Sequence, residues 1–248
     1  MQLYIIRHAQ SVNNAIWAAT GNGNGRLSDP PITDLGHQQA RHLADHLANA
    51  KTNLSDNYDD ITNRSGFVLT HLYSSLMLRA VQTGHYIADT LDMPLHAWEI
   101  IHEWGGIYED DPETGKPVGL PGPNRAFFTA RFPRFVPPAA LAEAGWWNRP
   151  YEPPQNTPTR AQRFLKELAT RHGGGDDRVG IITHGGFYQA IMRAIIGCPL
   201  PDASPMGDNM DIWFRVNNTA VTRIDFAPDS ISIVYQNRLD HLPEGSIT

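Results

Sequence analysis

An arginine and a histidine stand side by side near the start of the chain, directly after a run of apolar residues. Residues 3–6 (LYII) are aliphatic or aromatic, and such an unbroken run predicts a strand that is buried on both faces. Arg7 and His8 follow at the end of this strand. Because ligands bind at the carboxyl ends of strands in open α/β sheets, a cation and an imidazole stand there where they can bind an anion. The alternative is that both side chains only meet water where the sheet ends.

Two further predicted strands also end in polar residues. The strand predicted over 67–73 is followed by two serines and, one helical turn later, by Arg79. The strand predicted over 178–183 is followed by His184 and Gly185. Since parallel strands bring their carboxyl ends to one edge of a sheet, we expect Arg79 and His184 to lie close to the arginine and histidine of the first strand.

Segments with helical periodicity separate the predicted strands. Four helices are predicted. The first begins at Thr33, the second ends at Leu91, the third extends from Thr157 to about His172, and the fourth ends at Ile196. The alternation of strands and helices predicts an α/β fold in which helices cover both faces of a mostly parallel central sheet. This architecture is a three-layer α/β/α sandwich.

The sequence pattern of the C-terminal part of the chain predicts three strands in close succession. They are predicted near 211–216, over 220–226 and over 231–235. The sequence Asn-Asn-Thr at 217–219 is typical of a tight turn, so the first two of these strands are predicted to form a hairpin.

Residues 109–157 show no helical or strand periodicity and are rich in proline, glycine and aromatic residues. A stretch of this length without periodicity is typical of a lid or a binding insertion. We therefore predict one domain over residues 1–248, with a lid-like insertion at about 109–157. The alternative is that the aromatic residues of this segment only pack it against the body of the domain.

The composition of the 248-residue chain argues against several classes of protein. Its net charge of −6 argues against nucleic-acid binding. No apolar run is long enough to cross a membrane, and residues 1–6 lack the features of a signal peptide. The single cysteine, Cys198, cannot form an internal disulfide and fits a reducing compartment. We expect a cytoplasmic protein without nucleic-acid or membrane partners, and a homodimer is compatible with the sequence.

Four segments, taken in order, resemble the motifs of the histidine phosphatase superfamily, which is also called the phosphoglycerate mutase-like family. They are RHA at 7–9, DPPITDLGHQQA at 29–40, SSLMLRAVQTG at 74–84 and THGGF at 183–187. NRLDHL at 237–242 is similar to the C-terminal segment of the family. The segments occur in the family's order across nearly the whole chain, and only the predicted insertion lies outside the match. The resemblance implies a phosphoglycerate mutase-like fold.

The resemblance also implies phosphoryl transfer through a phosphohistidine. His8 corresponds to the nucleophile of the family. Arg7 and Arg79 correspond to the arginines that bind the phosphate oxygens, and His184 to the second histidine of the pocket. Glu103 corresponds to the carboxylate that donates a proton to the leaving group and later accepts one from water. This arrangement needs no metal ion and no cofactor. Two nearby carboxylates are alternatives for the proton-transfer role: Glu109 and Asp110.

Further residues are candidates for binding the substrate. Ser11 and Asn14 match family positions that contact the phosphate or the substrate, and Gly185 lies in the second-histidine motif. Arg125 and Arg149 belong to the predicted insertion and offer cations for a second anionic group of the substrate. The expected ligand is therefore a small phosphorylated molecule.

Three functions remain open at this point. The first is a phosphomonoesterase that acts on a small phosphorylated metabolite. The second is a cofactor-dependent phosphoglycerate-type mutase, which the similarity of RHAQS at 7–11 to the mutase motif favours slightly. Residues 103–157 do not resemble the mutase segment that supplies its carboxylate-binding cations. The third is a non-catalytic module that binds a phosphorylated ligand, and the loss of a histidine or arginine would indicate it, but none is lost.

Overall fold

The computed structural model describes residues 1–49, 60–197 and 212–248. Cys198 and the first residue of the strand predicted near 211–216 lie outside these residues. The strands are β1 (Gln2–Arg7), β2 (His71–Ser74), β3 (Leu95–Ala97), β4 (Tyr108–Asp110), β5 (Pro117–Gly119), β6 (Phe135–Val136), β7 (Arg178–Thr183), β8 (Val221–Ala227) and β9 (Ser230–Arg238). The α-helices are α1 (Val12–Thr20), α2 (Asp34–Ala48), α3 (Leu78–Thr90), α4 (Arg125–Arg131), α5 (Thr157–His172) and α6 (Gly185–Ile196). Among the described residues, no helix is long and apolar enough to cross a membrane.

Most of the strands form one sheet in the order β6-β3-β2-β7-β1-β8-β9. The strands from β6 to β1 in this order run parallel, whereas β8 and β9 are antiparallel to their neighbours at one edge. β4 and β5 form a separate antiparallel pair. The mostly parallel central sheet that the sequence predicts is confirmed.

The side chains of β1 pack against helices on both faces of the sheet. Tyr4 and Ile6 belong to a core that contains residues of α2 and α3, whereas Leu3 and Ile5 belong to a second core that contains residues of α5 and α6. All four are fully buried, and burying a side chain of this size contributes about 2 kcal/mol each. This two-sided burial confirms the three-layer sandwich and explains why residues 3–6 are apolar without interruption.

Two helix starts follow the local signals in the sequence. The side chain of Thr33 caps α2 by accepting a hydrogen bond of 3.0 Å from the backbone N–H of Gly36. α5 begins at Thr157 and has Pro158 in its first turn. Proline is well tolerated there, because the first N–H groups of a helix have no partner within the helix.

The second strand is shorter than the sequence predicts. The prediction covers 67–73, but β2 begins only at His71. Val68 has a φ of 48°, a left-handed conformation that interrupts an extended strand. Phe67 is nevertheless buried, so its apolar character reflects packing in the core.

The prediction of a hairpin around 217–219 is wrong. Residues 212–216 form no strand, and the hairpin in this part of the chain joins β8 to β9 instead. The backbone N–H of Thr219 donates to the carbonyl oxygen of Arg7 at 3.0 Å. The segment therefore crosses the end of β1 and cannot pair with the strand that follows it.

The segment 109–157 consists of short elements that join the body of the domain. It contains α4, β5 and the edge strand β6, in which Phe135 is paired with Leu95 of β3. Most of its aromatic residues lie in the core that also contains α2 and α3, as the packing alternative predicts. The buried ones are Phe128, Phe132, Phe135, Trp146 and Trp147.

Candidate active site

A cavity of about 420 Å³ lies where the chain leaves the carboxyl ends of β1 and β7. The structure brings most of the predicted site residues to it. Those that line it are Arg7, His8, Ser11, Asn14, Arg79, Glu103 and Gly185. The other described lining residues are Asn13, Trp17, Pro30, Trp104, Gly186, Gln189, Trp213 and Val216.

His8 is buried, and hydrogen bonds fix its ring. Its Nδ1 lies 2.7 Å from the carbonyl oxygen of Ala9, and because a carbonyl oxygen only accepts, we assign the ring proton to Nδ1. Nε2 accepts a hydrogen bond of 3.2 Å from Nε of Arg79. Burial and the charges of Arg79 and Arg7 hold the pKa of His8 well below its usual range. His8 is therefore neutral near pH 7, with an unprotonated Nε2 suited to nucleophilic attack.

Arg79 lies between His8 and Asp29. The Asp29 carboxylate accepts a hydrogen bond of 3.0 Å from the backbone N–H of Leu78, and the same oxygen lies 3.9 Å from Nη1 of Arg79. Burial raises the pKa of Asp29 to about 6, while Arg79 and the backbone hydrogen bond act in the opposite direction. Asp29 thus positions Arg79. The sequence favours only a turn role for Asp29, because no pattern links positions 29 and 79.

Arg7 has a guanidinium N–H without a partner. Its Nη1 donates to the carbonyl oxygen of Val216 at 2.7 Å, which fixes the side chain. Its Nε is buried and has no hydrogen-bond partner among the described residues. A buried donor without a partner is costly, so this N–H is suited to an acceptor on a ligand. Burial lowers the pKa of Arg7, but a guanidinium stays charged in proteins.

His184 is fully buried and does not itself line the cavity, but its ring centroid lies 5.1 Å from that of His8. Its Nε2 lies 2.6 Å from Oγ of Ser75, which also accepts a hydrogen bond of 3.2 Å from the backbone N–H of Met77. Among the described residues, Nε2 is the acceptor for the proton of the Ser75 hydroxyl, so Nε2 carries no proton. We therefore assign the single proton of the neutral His184 ring to Nδ1. Burial and Arg79 hold the pKa of His184 well below its usual range. Nδ1 has no described partner and is a second free donor beside His8.

Glu103 binds the N-terminus of α6. Its carboxylate accepts hydrogen bonds from the backbone N–H groups of Trp104 at 3.0 Å, Gly186 at 2.9 Å and Phe187 at 2.9 Å. The last two donors lie in the first turn of α6, where N–H groups have no partner within the helix. A Cβ atom at Gly186 would lie 2.5 Å from Oε1 of Glu103, so only glycine allows this approach. The contact with Glu103 thus explains why the second position after His184 in the THGGF motif is a glycine.

Ser11, Asn14 and Asn218 form a hydrogen-bond network beside His8. Ser11 and Asn14 cap α1 reciprocally, since the Ser11 hydroxyl accepts from the Asn14 N–H and the Asn14 side chain accepts from the Ser11 N–H. The Asn218 amide donates to the carbonyl oxygen of His8 at 2.8 Å and to Oδ1 of Asn14 at 3.2 Å. Asn218 therefore supports the backbone of His8. No sequence pattern indicates this role, because the residue lies in a segment that is typical of a turn.

Arg125 and Arg149 do not line the cavity that contains His8. Arg125 donates to the carbonyl oxygens of Pro138 and Ala139. Arg149 forms an ion pair of 2.7 Å with Glu99 and lies in a second cavity of about 750 Å³. We give this larger cavity less weight, since it contains none of the predicted catalytic residues. No residue of 109–157 lines the cavity around His8, so the structure does not support a lid role for that segment.

One group of possible metal ligands occurs among the described residues, and it lies away from this cavity. His71, His172 and Asp177 lie at the amino ends of β2 and β7, opposite to His8 and His184. Both ring nitrogens of His172 already have partners, namely Asp177 at 2.8 Å and the hydroxyl of Tyr73 at 3.1 Å. The ring nitrogens of His172 are therefore already used in hydrogen bonds within this group and to Tyr73.

A model of the histidine phosphatase superfamily (branch 1) matches residues 3–58 and 62–238 of the chain. No curated protein sequence matches it significantly. The family match covers all four motifs around the cavity. It also extends over the whole of the predicted insertion at 109–157, which the motif resemblance alone had left outside the match.

Several solved structures are similar to the chain. A variant of phosphoserine phosphatase from Entamoeba histolytica in complex with phosphoserine is 17% identical, with a TM-score of 0.55 over 98% of this chain and 99% of that chain. YhfR from Bacillus stearothermophilus is 19% identical, with a TM-score of 0.56 over 97% and 98%. The mycobacterial glucosyl-3-phosphoglycerate phosphatase in complex with VO3 is 17% identical, with a TM-score of 0.52 over 90% of both chains. At these identities the similarity establishes the fold.

Proposed function

The chain belongs to the histidine phosphatase superfamily (branch 1), and we propose that it is a phosphomonoesterase that transfers the phosphoryl group of a small phosphorylated metabolite to Nε2 of His8. The observation that carries this proposal is the state of His8. Its Nδ1 is bonded to the carbonyl oxygen of Ala9, and its unprotonated Nε2 faces Arg79 in a cavity that Arg7 also lines. A neutral nucleophile between two cations is suited to attack on a phosphate dianion.

In the first step, Nε2 of His8 attacks the phosphorus atom, and the N–P bond forms as the P–O bond of the ester breaks. The hydrogen bond from Arg79 to Nε2 shifts to a phosphoryl oxygen as the N–P bond forms, because Nε2 has a single lone pair. The free Nε–H of Arg7 and the free Nδ1–H of His184 are further donors for the same oxygens. Together these groups stabilise the negative charge that spreads over the phosphoryl oxygens in the transition state.

In the second step, water attacks the phosphohistidine, the N–P bond breaks, and His8 returns to its neutral form as inorganic phosphate leaves. We assign to Glu103 the proton that the leaving alcohol receives and the proton that the attacking water loses. Glu103 lines the cavity. Glu109 and Asp110, the alternative carboxylates, are exposed and do not line it.

The two alternative functions have less support. A phosphoglycerate-type mutase must hold a carboxylate in addition to a phosphate, and Arg7 and Arg79 are the only cationic side chains in the described lining of the cavity. A non-catalytic binding module would not require an unprotonated histidine nitrogen beside these arginines. The proposed reaction needs no metal ion and no cofactor, because the cavity residues provide the charges and protons.

We also propose a single domain over residues 1–248 and a cytoplasmic location. The single domain is supported by one sheet that contains strands from both ends of the chain, β1 and β9. The location is supported by the single cysteine, which fits a reducing compartment.

We expect the purified protein to release inorganic phosphate from small phosphate monoesters and not to interconvert the phosphoglycerate isomers. Vanadate should inhibit this hydrolysis, because it adopts the geometry of the transferred phosphoryl group, whereas a chelator should leave it intact. A phosphate-release assay over a panel of esters, run together with a phosphoglycerate isomerisation assay, tests the proposal. Isomerisation without net phosphate release would support the mutase, and binding of esters without turnover would support the binding module.

Replacement of Glu103 by glutamine should slow esters with poor leaving groups much more than aryl esters. An alkoxide needs a proton as it leaves, whereas an aryl oxide hardly does, so we expect about 10²-fold loss of kcat for alkyl esters and a smaller loss for aryl esters. Rates for a matched alkyl and aryl pair provide the measurement. Glu99→Gln, which alters an exposed glutamate paired with Arg149, is the control. Equal slowing of both esters would remove Glu103 from the proton-transfer role.

A further inference from the structure

The tryptophans of the chain divide between the core and the cavity around His8. Three of the six tryptophans are buried in the two cores. The other three, Trp17, Trp104 and Trp213, all line this cavity. Trp17 is 62% exposed and Trp213 is 58% exposed. Single exposed apolar residues are ordinary, but several from separate segments that meet at one opening indicate a surface for a ligand.

The described lining of the cavity has no cation left for a second acidic group on the substrate. Arg7 and Arg79 are the only cationic side chains in its described lining, and the proposed function uses both for the phosphoryl group. The one carboxyl side chain of the described lining, Glu103, offers no positive charge to a second acidic group. The alcohol part of the substrate is therefore expected to be uncharged.

The described lining of the cavity has three amide side chains, Asn13, Asn14 and Gln189, and two of them bind backbone groups of neighbouring segments. Asn13 exchanges hydrogen bonds of 2.8 and 2.9 Å with the backbone of Leu27. Gln189 exchanges hydrogen bonds of 2.8 and 2.9 Å with the backbone of Phe214, the residue after Trp213. Both amides hold neighbouring segments in place, and these bonds use one N–H and one oxygen lone pair of each, which leaves fewer polar groups for the hydroxyl groups of a sugar.

We propose that the substrate is a phosphate monoester of an uncharged alcohol that carries an aromatic ring. Its phosphoryl group lies between Arg7 and Arg79, and its ring packs against Trp17 and Trp213. This inference rests on the proposed phosphatase function and specifies the substrate class for the same cavity. The rings bury apolar surface against each other, which favours binding. Offset or edge-to-face contacts between aromatic rings add to the binding free energy gained by this burial.

The first experiment compares esters whose leaving groups have similar intrinsic reactivity. Benzyl phosphate, glycerol phosphate, O-phosphoserine and glucose 6-phosphate all release a primary alcohol, so differences in kcat/KM report on recognition. We expect kcat/KM for benzyl phosphate to exceed the others by about tenfold or more, since each aromatic contact contributes about fivefold. Equal or faster turnover of O-phosphoserine or glucose 6-phosphate would overturn the proposed substrate class.

Variants of the two exposed tryptophans test the same inference. Trp17→Ala and Trp213→Ala should each lower the ratio of kcat/KM for benzyl phosphate to that for glycerol phosphate by about fivefold. The Phe variants should retain most of the ratio, because they keep an aromatic face. Ile231→Ala, which alters a 51% exposed side chain of β9 outside the cavity lining, is the control and should leave the ratio unchanged. An unchanged ratio in both tryptophan variants contradicts the inference.

A binding measurement separates failure of this inference from failure of the proposed function. In the His8→Asn variant, benzylphosphonate should quench tryptophan fluorescence and bind more tightly than a phosphonate analogue of phosphoserine. If the unaltered protein hydrolyses no ester, the proposed function fails, and the binding preference then supports or refutes only the contacts of an aromatic ring with the tryptophans. If esters are hydrolysed through a phosphohistidine without any preference for the ring, only the substrate class is wrong.

Discussion

Replacement of His8 by asparagine should lower kcat/KM by at least about 10⁴-fold for every phosphate ester, because asparagine has no nucleophilic ring nitrogen. The same substitution should remove the covalent intermediate. When the unaltered protein is quenched during turnover of a substrate labelled in its phosphate, the peptide that contains His8 should carry an acid-labile, base-stable label. Mass spectrometry of that peptide and steady-state kinetics provide the two measurements.

A second histidine supplies the matched control for this substitution. His37 lies on α2, its Nδ1 lies 2.9 Å from the hydroxyl of Tyr86, and it does not line the cavity. His37→Asn should retain both activity and label. Label on His184, or full activity of the His8→Asn variant, would refute His8 as the nucleophile.

Replacement of Arg79 by alanine is expected to lower kcat/KM by about 10³-fold for all esters alike, since a charged donor to the phosphoryl oxygens is lost whatever the alcohol. The substitution also removes the hydrogen bond to Nε2 of His8 and the cation beside Asp29. Kinetics on at least two unrelated esters, together with a thermal unfolding curve, distinguish the loss of catalysis from a loss of folded protein.

The charge and the shape of Arg79 can be tested separately. Arg79→Lys restores a cation but not the planar pair of parallel donors, so we expect only partial recovery of kcat/KM. Arg41→Ala, which removes an exposed arginine on α2 that lies over the ring of Tyr86, is the control and should leave activity unchanged. A loss limited to one ester would show that Arg79 contacts the alcohol and not the phosphoryl group, and a loss limited to KM would show that Arg79 does not act specifically in the transition state.

The two arginines have a double effect on His8. Their charges lower the pKa of His8 in the free protein and thereby keep its nucleophilic nitrogen unprotonated. The same charges attract a phosphate dianion, and its binding places negative charge between them and the ring. Because Arg79 directly contacts Nε2, its hydrogen bond has to move to the phosphoryl group as the N–P bond forms. The arrangement thus couples substrate binding to activation of the nucleophile.

The sequence alone was sufficient to predict the parallel strands and the residues at their ends. Burial of β1 on both faces requires an unbroken apolar run, so the position of Arg7 and His8 at its carboxyl end followed from the sequence. The same reasoning placed Arg79 and His184 at the same edge of the sheet. These predictions depend on local patterns and on a general property of parallel sheets, and the structure brings all four residues into contact or close proximity.

Only the tertiary structure decided which loop residues complete the cavity. Asn218 reaches the carbonyl oxygen of His8 across 210 residues, although its local sequence is typical of a turn. Conversely, the aromatic and cationic residues of 109–157 had the composition of a cavity wall, yet they pack in the core or bind elsewhere. The three tryptophans at the opening come from separate segments of the chain. Periodicity in a sequence reports whether a residue is buried by its own helix or strand. It carries no information on which distant segment a loop side chain meets, because that depends on how the whole chain closes around the sheet.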